Sequence, residues 1–268
     1  MKHPLTTAGA LAAALIAQPV AVWADTTPSA APSSGQAQTP ASTPAPKPFV
    51  PRKNDPCAAY YVAASIVSDY RFDGFSESNL QPTWQVNLHC YRTDGFYAGT
   101  VLTGVNFEDR PRTTLETDFY VGRHVPVAGS DLNLELLEVW YPNQHTGGPA
   151  YGLFEPEAEL SHRFGKLTLK ALVAWSPNYS SNSGTSWHEK AGAEFALTDW
   201  LSVSGHYGRI TIERGVSRHH FDVGATAKWR SLSLDARYGG TDLAKPQCYY
   251  TNWCAPAAAV TATWSKVL

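Results

Sequence analysis

From about residue 60 onward, apolar and polar side chains alternate with a period of two. Thr83-Trp84-Gln85-Val86-Asn87-Leu88-His89 shows the pattern, as do Lys166-Leu167-Thr168-Leu169-Lys170-Ala171 and Ser231-Leu232-Ser233-Leu234-Asp235-Ala236-Arg237-Tyr238. Strict alternation places unlike residues on the two faces of an extended chain, so these segments predict β-strands; no stripe at helical spacing competes. Twelve segments are expected, near 60–72, 82–91, 95–106, 113–123, 131–141, 154–164, 166–176, 188–197, 200–211, 217–228, 231–239 and 257–267. Short turns at Arg92-Thr93-Asp94-Gly95, Gly165, Thr198-Asp199 and Arg230 alternate with longer polar loops, among them Asp73 to Gln81 and Gly240 to Pro256. The connection from His124 to Ser130 reads as long for its class.

An even number of strands with short turns at one end and long loops at the other describes an all-β fold, a 12-stranded antiparallel transmembrane β-barrel. A soluble β-sandwich shares the alternation but gathers its tryptophans in one core. Here Trp84, Trp140, Trp175, Trp187, Trp200, Trp229 and Trp264 all fall near strand ends. That is where a bilayer interface favours a ring with an apolar body and a polar edge. Strand order assigns the first four to an outer girdle and the last three to a periplasmic one, with both termini in the periplasm.

The alternation also assigns faces. Val86, Leu88, Phe119, Leu134, Leu136, Leu169, Val223, Leu234 and Val260 would meet lipid. The opposite phase carries the candidate pore-lining residues Asp69, Arg71, Glu116, Asp118, Glu157, Glu159, Lys170, Lys190, Glu194, Asp222 and Arg237. A Lys or Arg on the lipid face costs about 2–4 kcal/mol at mid-depth, which directs such groups inward. A charged lumen suits a narrow or gated porin passing small polar or charged solutes. The same charges, paired across the lumen, would suit a plugged structural or adhesive barrel without conductance. A third reading is a membrane-embedded lipid hydrolase using Ser204 and His206, which lie two apart on one strand; no third partner is identifiable, so no enzyme is expected. His219 and His220 are adjacent and point to opposite faces, so they do not share a metal; neither metal nor cofactor is expected.

Composition adds context. The chain is 43% hydrophobic and 12% aromatic but only 16% charged, below the roughly 25% usual for a soluble domain. A net charge of −2 lacks the basic excess of a nucleic-acid binder. No stretch after residue 24 approaches the about 18 apolar residues of a spanning helix, which leaves strands as the way across a bilayer. Residues 1–24 read as a signal peptide, with Lys2 and His3 before an apolar run and Val22-Trp23-Ala24 before Asp25. Residues 25–56, rich in Pro, Ser, Thr and Ala, read as a disordered linker. The barrel would then occupy 57–268. Four cysteines in an exported chain suggest disulfides: Cys248 with Cys254 within the last long loop, and Cys57 within reach of Cys90 at the periplasmic rim.

The stretch Ser68-Asp69-Tyr70-Arg71-Phe72-Asp73-Gly74-Phe75-Ser76-Glu77-Ser78 resembles the opening motif of the TorF family of outer-membrane porins. Similar matches occur at Gly95-Phe96-Tyr97-Ala98-Gly99-Thr100, at Glu116-x-Asp118-x-Tyr120-x-Gly122, at Ser176-Pro177-Asn178-Tyr179 and at the closing Ser265-Lys266-Val267-Leu268. Asp73 stands where that family usually has Arg, and Leu268 where it has a terminal aromatic. The resemblance implies a twelve-stranded outer-membrane barrel with a transport role. Its expected partners are outer-membrane lipids, periplasmic chaperones and the barrel-insertion machinery during biogenesis, and small solutes. Oligomeric state stays open.

Overall fold

The structure, a computed structural model, describes residues 57–109, 112–144, 150–248 and 253–268; the expected signal peptide and linker lie outside them. Among the described residues fourteen strands form, in chain order: β1 (Ala59–Val67), β2 (Arg71–Phe72), β3 (Phe75–Ser76), β4 (Thr83–Tyr91), β5 (Phe96–Gly104), β6 (Leu115–Val127), β7 (Ser130–Trp140), β8 (Leu153–Phe164), β9 (Leu167–Ser176), β10 (Ser186–Ala196), β11 (Leu201–Ile212), β12 (Arg218–Trp229), β13 (Leu232–Thr241) and β14 (Ala257–Val267). Twelve of them, all but β2 and β3, close a barrel in which each pairs antiparallel with its chain neighbours. Closure joins β1 to β14, from Tyr61 opposite Val267 to Val67 opposite Thr261. Among the described residues no helix is long and apolar enough to cross a membrane; closure is what lets strands do so, since it leaves no unpaired edge in lipid.

Two departures from the alternation have local causes. The first expected strand, 60–72, stops at Val67, and the chain then folds back as the β2–β3 hairpin before β4 begins at Thr83. The reversal is a two-residue turn at Asp73-Gly74 between the paired Phe72 and Phe75, with both turn residues at positive φ, 44° and 84°. Such a turn needs left-handed backbone, which Asp tolerates and Gly adopts freely. Gly74 is required for space as well: a Cβ there would sit 2.6 Å from the Gly240 carbonyl oxygen. The second departure is the His124–Ser130 connection. Strands β6 and β7 continue to Val127 and from Ser130, and only Ala128-Gly129, at φ 49° and 81°, make the turn.

The outer surface is apolar. Leu134, Leu136, Val223 and Leu234 are each between 46 and 57% exposed. The seven tryptophans near strand ends also project outward, from Trp175 at 36% to Trp229 at 65%. Trp84, Trp140, Trp175 and Trp187 lie at the rim of the long loops, where Trp175 faces Trp187 across β9 and β10. Trp200, Trp229 and Trp264 lie at the other rim. Bridges join Cys57 to Cys90, with Cα atoms 5.4 Å apart, and Cys248 to Cys254, at 5.5 Å.

Candidate functional site in the barrel lumen

Inward positions carry charge, and acidic groups concentrate on three adjacent strands. On β6, β7 and β8, Glu116, Asp118, Glu135, Glu155, Glu157 and Glu159 occupy alternate positions, with Glu135 directly opposite Glu157. Across the lumen, Lys170, His188, Lys190, Arg218, His220 and Arg237 project from β9, β10, β12 and β13. Lys170 and Glu159 lie 3.9 Å apart. Arg237 pairs with Asp222, donates to Asp235 at 3.1 Å and reaches the Ser204 hydroxyl at 3.0 Å. Glu194 has the same inward phase on β10 as Lys190. The expected residues on β6, β8, β9, β10, β12 and β13 share one phase of their strands, whereas Asp69 and Arg71 stand at the inner hairpin and not on the wall. Their ion pair is 2.6 Å long.

The hairpin fills the long-loop end of the lumen. Asp69 accepts from Arg71, Ser76 and, at 3.3 Å, Ser78. Arg71 also donates to the carbonyls of Gly74, Trp253 and Ala255 at 2.9, 3.2 and 2.5 Å. These bonds weld β2 and β3 to the chain beside the second disulfide, and Trp253 Nε1 completes the weld by donating to Asn79 at 2.8 Å. Tyr70 and Tyr141 both donate to Glu116, at 2.7 and 2.5 Å. Around them Phe75, Phe107, Leu137, Val139, Leu153, Tyr179, Ile210, Ile212 and Trp253 form the main apolar cluster. A cavity of about 350 Å³ remains, walled by these rings and floored by Glu77, Glu116 and Asp118.

At the hairpin tip, Asp73 meets the basic wall. Lys190 Nζ lies 3.1 Å from one carboxylate oxygen, and His188 and His220 lie 3.6 and 3.7 Å away. Burial works against its charge, but His188, Lys190, His220 and Arg218 together hold the carboxyl below the usual carboxylate range. The two imidazoles come from different strands and meet Nε2 to Nε2 at 3.0 Å. They can meet because Gly208, on the intervening β11, is the direct partner of His220 and leaves its ring room to lie across the backbone. Asp73, His188 and His220 form the one group of potential metal ligands found among the described residues.

His219 and His220 do diverge, as adjacent strand residues must; His219 faces outward and bonds Asp242 at 2.9 Å. The partner of His220 is His188, thirty-two residues away and invisible to local spacing. Glu155 and Arg218 were missed too, although each continues the phase of an expected lumenal residue on its strand. For the hydrolase reading, a third partner exists after all: Asp222 bonds His206 Nδ1 at 2.8 Å. Ser204, however, accepts a bond from Arg237 at 3.0 Å. A nucleophilic serine needs a base to take its proton, and a guanidinium is no base.

Apolar side chains outside, charged side chains inside and a closed antiparallel sheet define a membrane-spanning β-barrel. The chain belongs to the family described as bacterial protein of unknown function (Gcw_chp), whose profile matches residues 53–268; the TorF resemblance is not what that match names. No curated protein sequence matches it. Among solved structures it is similar to the NanC porin, with 9% identity and a TM-score of 0.52 over 78% of this chain and 98% of that one. It is similar to the KdgM porin, with 7% identity and a TM-score of 0.50 over 76% and 97%. An outer membrane channel from Pseudomonas putida F1 matches at 11% identity and a TM-score of 0.51, over 82% and 100%. At such identities the likeness is one of fold.

Proposed function

We propose that this protein is an outer-membrane channel for small polar solutes, with a preference for cations, whose lumen is narrowed by the hairpin at residues 69–76. The observation that carries the reading is the inverted polarity of the barrel: an apolar belt outside and ionisable side chains inside. The preference for cations follows from the inner charge. Asp69, Asp73, Glu116, Asp118, Glu135, Glu155, Glu157, Glu159, Glu194, Asp222 and Asp235 outnumber Arg71, Lys170, Lys190, Arg218 and Arg237. Rings of one charge sign raise the local concentration of the opposite ion and set selectivity. The fold shared with porins, the motif resembling the TorF family and the N-terminal export signal support the same assignment. With the signal at the N-terminus, the short turns and both termini face the periplasm, and the two tryptophan rims rest at the two bilayer interfaces. Chaperones and the insertion machinery would act on the chain during export.

A second reading, a barrel held shut, is favoured by one observation: the hairpin and Trp253 fill the long-loop mouth. Planar-bilayer recording separates the two. We expect small, cation-selective conductance from the full chain, and a several-fold increase when residues 69–76 are replaced by a short Gly-Ser linker. Silence from the full chain with conductance only from the linker variant, heat-modifiable gel migration showing both folded, would establish the shut barrel instead.

A further inference from the structure

The hairpin tip and the basic wall meet in an arrangement that a hairpin contact alone does not explain. Asp73, His188 and His220 are all buried, and their ligand atoms lie within 4.8 Å of one another. One oxygen of Asp73 takes the Lys190 ammonium. The other, Oδ2, is buried and accepts no hydrogen bond. An unsatisfied carboxylate oxygen in such a place is costly, and native structures rarely leave one. The imidazoles meet Nε2 to Nε2 at 3.0 Å, and His188 turns its Nδ1 toward Asp73 Oδ2 at 3.6 Å.

The spacing fits an ion. Ligands about 2 Å from a tetrahedral metal lie roughly 3.3 Å from one another. The Nε2–Nε2 distance of 3.0 Å is close to that value, and one ligand atom from each of the three residues can be chosen so that all lie within 4.8 Å of one another. Two imidazoles and one carboxylate suit zinc, copper, nickel or cobalt, whereas magnesium and calcium want oxygen shells. Lys190 and Arg218 oppose a cation, and Glu155 and Glu157 on β8 are close enough to act electrostatically on the same lysine and on Asp73.

We propose that Asp73, His188 and His220 bind one divalent transition-metal ion of the zinc type, which ties the hairpin tip to β10 and β12. Two ligands come from the wall and one from the hairpin, so the ion is a staple across the lumen. This goes beyond the channel reading and does not depend on it, because binding is measured without solute flow.

The test uses the full chain refolded in detergent micelles and freed of metal with a chelator. Zinc titration by calorimetry should show one tight site per barrel, with magnesium and calcium giving none. His188→Gln and His220→Gln should each weaken zinc binding by at least about tenfold, the lower end of the loss seen even for groups that only support metal ligands. Heat-modifiable migration confirms that each variant is folded. Copper(II) bound to the unaltered protein should show nitrogen hyperfine coupling by electron paramagnetic resonance, a reading that needs no variant. Zinc affinity unchanged in both glutamine variants, equal affinity for magnesium, or a copper spectrum without nitrogen coupling would each overturn the proposal.

Discussion

Glu77 hangs from the inner hairpin where burial and the charge of Glu116 oppose its ionisation; Arg218 works the other way, Asp73 adds to the opposition, and the net effect pushes its carboxyl well above the usual range. The sign of the consequence is fixed by linkage. Above the ordinary carboxylate value the undocked hairpin has lost this proton while the docked hairpin still holds it, so docking weakens as pH rises toward the raised value. The Ser76 amide, bonded to the Trp253 carbonyl at 2.8 Å, reports docking directly. Its hydrogen-exchange protection, corrected for intrinsic rate, should fall from mildly acidic toward neutral pH in the unaltered chain. In Glu77→Gln it should be level over that range; an equal fall in the variant would show that another group drives it. At this scale the inward placement of Asp69 and Arg71 was legible from the alternation, although they reach the lumen at the hairpin and not on the wall. The meeting of His188 with His220 was not, since it depends on the register of three strands and on Gly208 between them.

Among elements, the hairpin is the one that alternation misread. Arg71-Phe72 keeps the period of β1, so counting alternate positions carries the strand through to 72. The signal that it turns was present in Asp73-Gly74 flanked by Phe72 and Phe75, since Asp-Gly between such residues favours a two-residue turn. What residue order did not carry is where the hairpin docks. Its anchors are carbonyls of Trp253 and Ala255, more than 180 residues downstream, and they are positioned by the Cys248–Cys254 loop. A cross-link with a sequence separation of 6 restricts the unfolded loop by about 2 kcal/mol on the chain-entropy estimate. Replacing both cysteines with serine should therefore leave the barrel folded but loosen the hairpin. Limited proteolysis of the folded variant should cut near Arg71, whose guanidinium is shielded when docked, at a markedly higher rate than in the bridged chain. Unchanged cleavage would mean that the hairpin holds itself in place without this loop.

The whole molecule is a soluble protein's polarity turned inside out, and that was the most legible property of the chain. Twelve strands, their order and the facing of each residue follow from a period of two combined with loops alternating in length. The interior was less legible, because facing says which residues share the lumen but not which of them touch. The inversion has a measurable consequence at mid-barrel. Leu134 faces outward from the middle of β7 and is 46% exposed, whereas Thr261 faces inward from β14 near Asp235, its partner across the ladder. Arginine at Leu134 would place a charge in hydrocarbon, costing about 2–4 kcal/mol at the bilayer midplane. Lysine at Thr261 would face water and the Asp235 carboxylate, and should change stability by no more than about 1 kcal/mol. Denaturant titration of the two variants refolded into lipid vesicles measures both numbers on one scale. A water-soluble barrel would order them differently, since an exposed arginine on its outer surface would cost almost nothing; equal stability of Leu134→Arg and the unaltered chain would remove the membrane from the account of this fold.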